Sequence, residues 1–390
     1  MKKYLILIIL VLIGLSFNFS KVSASELQLN NNDSFDDSLN SVIEGIDENS
    51  FSVITDLINN FFGEDKSFKE RVLLFITGEN TFDLNLILSY FKSSLSGVLN
   101  VVIEIVSYVL FISIILSCGN IIISKNNGNN ENNIIYYICY TVIITLCSKI
   151  ISIVFSIATD TLNDINKNLE IAFPILLTLS EFSGGFGLSL SKPFFAFSSL
   201  LSSSLINNFF VPLLSVCSAI IIVGNLSSTI KLNSLKKSIF SLLKWIIGII
   251  TLAFTFFLTA SSIVNMQYGG ISFKILKYAT GSMIPIVGGF ISGGLDVLLS
   301  SSILVKNSVG LILVIYIILN VFSVGITIII LSFVTKFLIS VCEPIIDEKI
   351  VNLFNGIAEV FSYLSAIVFT SGFSYVLVCF SLISSTSLIF

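Results

Sequence analysis

Residues 308–334 read SVGLILVIYIILNVFSVGITIIILSFV, an apolar run without a charged side chain. A helix needs about 20 apolar residues to cross the hydrocarbon core of a bilayer, so this run spans one with room to tilt. Five more segments have the same character, at 98–123, 134–158, 194–223, 239–264 and 357–390, with short polar connectors between them. The chain of 390 residues is 54% hydrophobic and 11% charged, with a mean hydropathy of +0.98. Soluble domains carry roughly a quarter charged residues, so lipid is the solvent for most of this chain. Backbone polar groups in lipid are satisfied inside helices. The expected fold class is therefore all-α: a polytopic membrane helix bundle of about six or seven transmembrane helices.

Two further apolar segments, 171–190 and 284–303, contain helix-disrupting residues: Pro174, Gly184, Gly185 and Gly187 in the first, Pro285, Gly288, Gly289, Gly293 and Gly294 in the second. They resemble each other. Phe173-Pro174-Ile175 is followed by Ser183-Gly184-Gly185, and Ile284-Pro285-Ile286 by Ser292-Gly293-Gly294. The pattern predicts a diverged internal repeat over about 134–223 and 239–334, an arrangement known among transporters. If the breaks make these segments re-entrant, they line a water-filled or protein-lined path. The alternative is that glycine lets helices pack closely. With both segments re-entrant, inner loops hold Lys125, Lys231, Lys236, Lys237, Lys244, Lys336 and Lys349, and outer loops hold Lys167, Lys192, Lys274, Lys277 and Lys306. The excess of inner lysines favours residues 225–244 in the cytoplasm and the C-terminus outside.

The N-terminal region differs from the rest. Lys2 and Lys3, the apolar run 4–15 and the small residues Val22-Ser23-Ala24 predict a signal peptide over 1–24; a retained first span is the alternative. Residues 25–97 hold thirteen acidic and four basic side chains, a net charge of −9, and are expected outside the cytoplasm. Residues 26–50 read as a flexible stretch, polar and without a base. Phe51, Ile54, Ile58, Phe61 and Phe62 then fall on one helical face, as do Leu84, Ile87, Leu88, Phe91 and Leu95. These amphipathic helices predict either a small self-packed unit, one lying on the lipid surface, or a face for a partner. The transmembrane domain occupies 98–390.

Several chemistries are excluded. The chain has no histidine, which removes Ser-His-Asp triads and His-based zinc sites. No phosphate-binding Walker sequence is present. The six cysteines lie mostly in apolar spans and read as small hydrophobes. No cofactor or metal pattern emerges, and a net-acidic extramembrane region argues against nucleic acid as a ligand. Gly293-Gly294-Leu295-Asp296 faintly resembles an intramembrane aspartyl protease, but no second embedded Asp partners Asp296. Asp296 and Lys306 flank the second broken segment, and membrane-embedded charge normally faces a bundle interior or cavity.

Four pieces of sequence carry a family resemblance: Lys274-Ile275-Leu276-Lys277-Tyr278-Ala279, Ile284-Pro285-Ile286-Val287-Gly288-Gly289, Lys306-Asn307-Ser308-Val309-Gly310 and Glu343-Pro344-Ile345-Ile346-Asp347. In this order they resemble the stage III sporulation protein AE family, over roughly residues 165–370. Where the family more often has Arg, this chain has Lys274, which keeps the charge and loses the bidentate geometry. The resemblance implies a non-enzymatic membrane component of endospore formation, in the mother-cell membrane around the forespore. The implied partners are the other stage III sporulation A-operon proteins, including an ATPase and ring-forming subunits, and stage II sporulation protein Q across the intermembrane space. Together they would form a channel or secretion-like apparatus. The residues alone leave two other readings open: a free-standing secondary transporter, and an intramembrane enzyme using Asp296.

Overall fold

Two helices far longer than a bilayer is thick organise the molecule. The structure, a computed structural model, describes residues 33–78, 89, 90, 92, 108, 111, 131–182, 206–226, 232, 234–256, 288–344 and 348–384. Among these there is no strand. The helices are α1 (Asp33–Glu44), α2 (Ser52–Phe62, led by a 3-10 turn at Glu48–Phe51), α3 (Phe68–Thr77), α4 (Glu131–Phe182), α5 (Val211–Leu226), α6 (Ser234–Phe256), α7 (Gly288–Cys342) and α8 (Glu348–Ser384). Five of them, α4 to α8, contain stretches long and apolar enough to cross a membrane. The chain is an integral membrane protein. The predicted signal peptide and nearly all of the predicted span 98–123 lie outside the described residues.

Helix α4 has 52 residues and α7 has 55, so each runs close to 80 Å at about 1.5 Å per residue. The hydrocarbon core is only about 30 Å thick. Composition says which part of each helix lies outside it. In α4, residues 141–158 carry Lys149 as their one charge, whereas Asp160, Asp164, Lys167 and Glu170 follow within three turns. In α7 the charged and polar residues Asp296, Lys306 and Asn307 precede the uncharged run 308–334. The helices are antiparallel, with Cys147 beside Leu331 and Asn168 Nδ2 donating to the Tyr316 hydroxyl at 2.7 Å. The polar half of α4 and the N-terminal third of α7 therefore project together from the same end of the bundle.

The acidic helices sit on that projecting end. Helices α1, α2 and α3 pack on α7, and the hydroxyls of Ser38 and Ser301 are hydrogen-bonded at 2.8 Å. The face expected in α2 is the one buried: Phe51, Ile54, Ile58 and Phe61 are all in the core, and Phe51 stacks on Phe68 at 4.2 Å between centroids. Local signals bound these helices. Gly63, at φ 71°, ends α2 in the left-handed conformation that a Cβ disfavours. Ser67 and Glu70 form a reciprocal capping box at the start of α3. The expected flexible stretch 26–50 is corrected over Asp33–Glu44, which is helical with Phe35, Leu39 and Ile43 buried. Three apolar residues at helical spacing, given α7 to cover them, outweigh an otherwise polar composition.

The membrane bundle is built on the antiparallel pair α7 and α8, whose close approach is made by glycine. A Cβ on Gly325 would lie 2.5 Å from the Phe369 ring, and one on Gly372 would lie 2.4 Å from Val321 Cγ2. Helix α5 meets α8 the same way, with Ile221 over Gly356. Helix α6 packs on α8 through Phe240 stacked on Tyr363 at 4.5 Å. Its opposite face exposes Leu242, Trp245, Ile249, Leu252 and Phe256, a helical stripe suited to lipid.

The expected breaks are corrected where they can be seen. Helix α4 passes through Pro174 and continues to Phe182. Proline in a helix interior removes one hydrogen bond and costs about 3 kcal/mol. Here Pro174 is exposed one turn after the exposed Glu170, whose carbonyl loses that bond on a face where a charge already requires water. Gly288, Gly289, Gly293 and Gly294 also lie in helix, continuous with 308–334 rather than a separate segment. Each of these glycines keeps its N–H, and the cost relative to alanine is only about 1 kcal/mol. Gly184, Gly185 and Pro285, the remaining diagnostic pieces of the repeat, lie outside the described residues.

Candidate functional site

At the projecting end, two residues of the Lys306–Gly310 motif receive the end of α8. The Lys306 side chain is fully buried and its Nζ donates to the Ile383 carbonyl at 3.2 Å. The last carbonyls of a helix have no partners within it and carry the negative end of its dipole, so a buried ammonium is placed where it is best tolerated. One turn further on, a Cβ on Gly310 would lie 2.5 Å from Ile383 Cγ1. Four-residue spacing puts Lys306 and Gly310 on the same face of α7, one holding the Ile383 backbone and the other admitting its side chain.

The acidic three-helix unit on this end is held by Arg71, the chain's single arginine. Its side chain is almost completely buried. Nε donates to Asn59 Oδ1 at 3.0 Å, Nη2 donates to the Glu64 carbonyl at 2.8 Å, and the guanidinium lies 4.8 Å from the centre of the Phe62 ring. Burial pulls its pKa downward while Glu64 and Glu70 oppose that; an arginine stays charged regardless. Lys66, by hydrogen bond and by charge, holds the Glu64 carboxyl below its usual range, with Arg71 adding to the effect. With its single buried cation used internally, the unit presents Asp36, Asp37, Glu44, Asp47, Asp56, Asp65 and Glu70 on its exposed surface.

At the opposite end a polar cleft of about 340 Å³ opens between α5, α6, α7 and α8. Lys236 Nζ lies 2.8 Å from Glu359 Oε2 across it, and Lys336, Asn225, Asn352 and Asn355 complete its polar wall. The sequence drew no attention to this cleft: Lys236 and Lys336 counted only as topology markers, and Glu359 and the asparagines carry no motif.

The residues singled out in the sequence separate accordingly. Gly288, Gly289, Gly293, Gly294, Asp296 and Lys306 share the projecting part of α7, and Pro174 lies in the projecting half of α4. Pro344 is exposed in the turn after α7, at the opposite end. Gly184, Gly185, Lys274, Lys277, Pro285 and Asp347 lie outside the described residues. Cys147, Cys217 and Cys379 are buried as free thiols.

A helical polytopic membrane protein, with two helices longer than a bilayer is thick and an acidic three-helix unit clasped to one of them, is the class that this geometry defines. The family model described as stage III sporulation protein AE matches residues 66–386, and the chain belongs to that family. Stage III sporulation protein AE of Bacillus subtilis (strain 168) is 22% identical over 331 residues, covering 81% of this chain and 82% of that protein. No solved structure matches the chain. Its role is in sporulation.

Proposed function

We propose that the chain is a non-enzymatic membrane subunit of a channel or secretion-like complex that links mother cell and forespore and sustains forespore development. In this reading residues 25–97 lie outside the cytoplasm, in the space between the two membranes, and 98–390 form the membrane domain. The observation that carries the reading is the docking of a strongly acidic unit on the projecting end of α7. An extension of this kind does nothing for a protein acting alone in lipid, but it reaches subunits beyond the membrane surface. The exposed carboxylates favour a basic face on a neighbour, steered and selected by charge. Candidate neighbours are the other stage III sporulation A-operon proteins, including an ATPase and ring-forming subunits, and stage II sporulation protein Q from the opposite membrane.

The test is complementation of a sporulation-defective null strain with a chain carrying D36K, D37K, E44K and D56K. These positions are exposed, so the protein should accumulate in the membrane at normal levels while heat-resistant spores fall by orders of magnitude. Normal sporulation would reject the acidic unit as a partner face. A second reading, a free-standing secondary transporter, draws on the polar cleft between α5 and α8. Solute uptake by the purified chain alone in liposomes would favour it, and a strict requirement for other subunits would count against it.

A further inference from the structure

The polar cleft has features that point to one ligand class. Its volume of about 340 Å³ falls in the range of small-molecule sites. Lys236 and Glu359 neutralise each other, which leaves Lys336 as the uncompensated charge: among the described residues its ammonium has no ion pair and no hydrogen bond. Asn352 and Asn355 are exposed and add amide donors. Among the described lining residues the net charge is a single positive one, and with neutral donors this matches a monoanion rich in acceptor oxygens, which describes a phosphodiester better than a dianionic phosphate monoester.

The surroundings point to where such a group comes from. Lys336 lies on α7 beside Phe333 and Phe337, which are exposed and stacked with centroids 6.4 Å apart, and Val341 continues the same exposed face. Exposed rings on a membrane helix lie against acyl chains, so lipid has direct access to the mouth of the cleft. A lipid accounts for both features, with its headgroup phosphate in the cleft and its acyl chains against the rings. Basic pockets between membrane helices recognise headgroups on this principle. We propose that the cleft between α5, α6, α7 and α8 binds the headgroup phosphate of an anionic phospholipid, with Lys336 as its main cation. This inference rests on membrane insertion and is independent of the sporulation complex.

The full chain purified in detergent would be titrated with phosphatidylglycerol, with phosphatidylcholine and with glycerophosphoglycerol, the deacylated headgroup, and binding read by native mass spectrometry. Phosphatidylglycerol should bind in preference to the zwitterionic lipid. K336Q should weaken that binding about fivefold, as expected for loss of one lysine near a lipid surface. K336R should restore it, and K167Q, an exposed lysine at the other end, should leave it unchanged. Equal binding of the two lipids, or unaltered binding by K336Q, would overturn the proposal. Binding of glycerophosphoglycerol as tight as that of the lipid would assign the cleft to a soluble phosphodiester and overturn the lipid source.

Discussion

Lys306 and Ile383 stand 77 positions apart in the chain and meet at 3.2 Å, the lysine ammonium donating to a carbonyl in the last turn of α8. Gly310 makes the meeting possible, because Ile383 occupies the space that any larger residue would need. The order of helices in the bundle is thus locked at its projecting end by a polar contact and a packing contact to a single residue.

Substituting Gly310→Ala should force Ile383 aside and destabilise the protein by about 1–3 kcal/mol, the usual cost of overpacking. Thermal unfolding in detergent would show it as a lowered midpoint. I383A should recover part of the loss in the G310A background, since it removes the clashing atoms. A Cβ on Gly248 would meet no atom within 4 Å, so G248A should leave the midpoint unchanged or slightly raised.

The acidic unit should depend on Arg71 in a way that lysine cannot replace. Arg71→Lys keeps the charge and loses the fork that bonds Asn59 and the Glu64 carbonyl together. A loss of about 2 kcal/mol is expected from breaking charge-assisted bonds in a buried site. Limited proteolysis should then cut within residues 33–78 while the membrane helices stay intact. The ion pairs of Glu64 have the opposite dependence on acid from a histidine switch. Its folded-state pKa is depressed, so their contribution is complete above the ordinary carboxylate range and is lost as pH falls through the lowered value.

How much of this was legible in the sequence differs by element. Over their described residues, the apolar runs 134–158, 239–264, 308–334 and 357–390 each mark a real helix, because lipid leaves the backbone no other choice. The α2 face was legible from Phe51, Ile54, Ile58 and Phe61 for the same reason any amphipathic helix is. The joins were not. Pro174 and Gly288–Gly294 read as breaks because propensity is local, whereas helix continuity is set by neighbours and by water at the affected carbonyl. Composition hid α1: Phe35, Leu39 and Ile43 keep helical spacing, but among polar neighbours so short a stripe counts only once α7 covers it. The Lys306–Gly310 motif stood out in the sequence, yet its reason, a contact with Ile383, spans too much chain to read from spacing. The cleft was invisible because Lys236, Lys336 and Glu359 come from three helices.

Helix α6 should be held to α8 chiefly by its aromatic contact. Phe240 stacks on Tyr363 at 4.5 Å, and Lys236 pairs with Glu359 one turn away. Phe240→Ala removes a buried ring and should cost about 3–5 kcal/mol. Glu359→Gln loses a partly exposed pair and should cost no more than about 1 kcal/mol. Unfolding midpoints of the two variants in one detergent would rank them; a larger loss for E359Q would mean that the ion pair, not the stack, holds α6.

The two ends of the bundle should label from opposite sides of the membrane. Ser41 lies on the acidic unit and Lys167 on the projecting half of α4, and both are exposed. Lys237 and Glu348 are exposed at the starts of α6 and α8, at the cleft end. The acidic unit is docked on α7, so all four positions belong to one framework and their sidedness is coupled. In a background with the six native cysteines replaced, S41C and K167C should react with an impermeant maleimide added to intact cells. K237C and E348C should react only after the membrane is opened. The lysine distribution predicts the same orientation, because Lys236, Lys237, Lys244, Lys336 and Lys349 gather at the cleft end and positive charge is retained in the cytoplasm. Labelling of S41C and K237C from the same side would mean that α7 does not cross the membrane between Ser301 and Lys336, and would remove the projecting platform on which the proposed role depends.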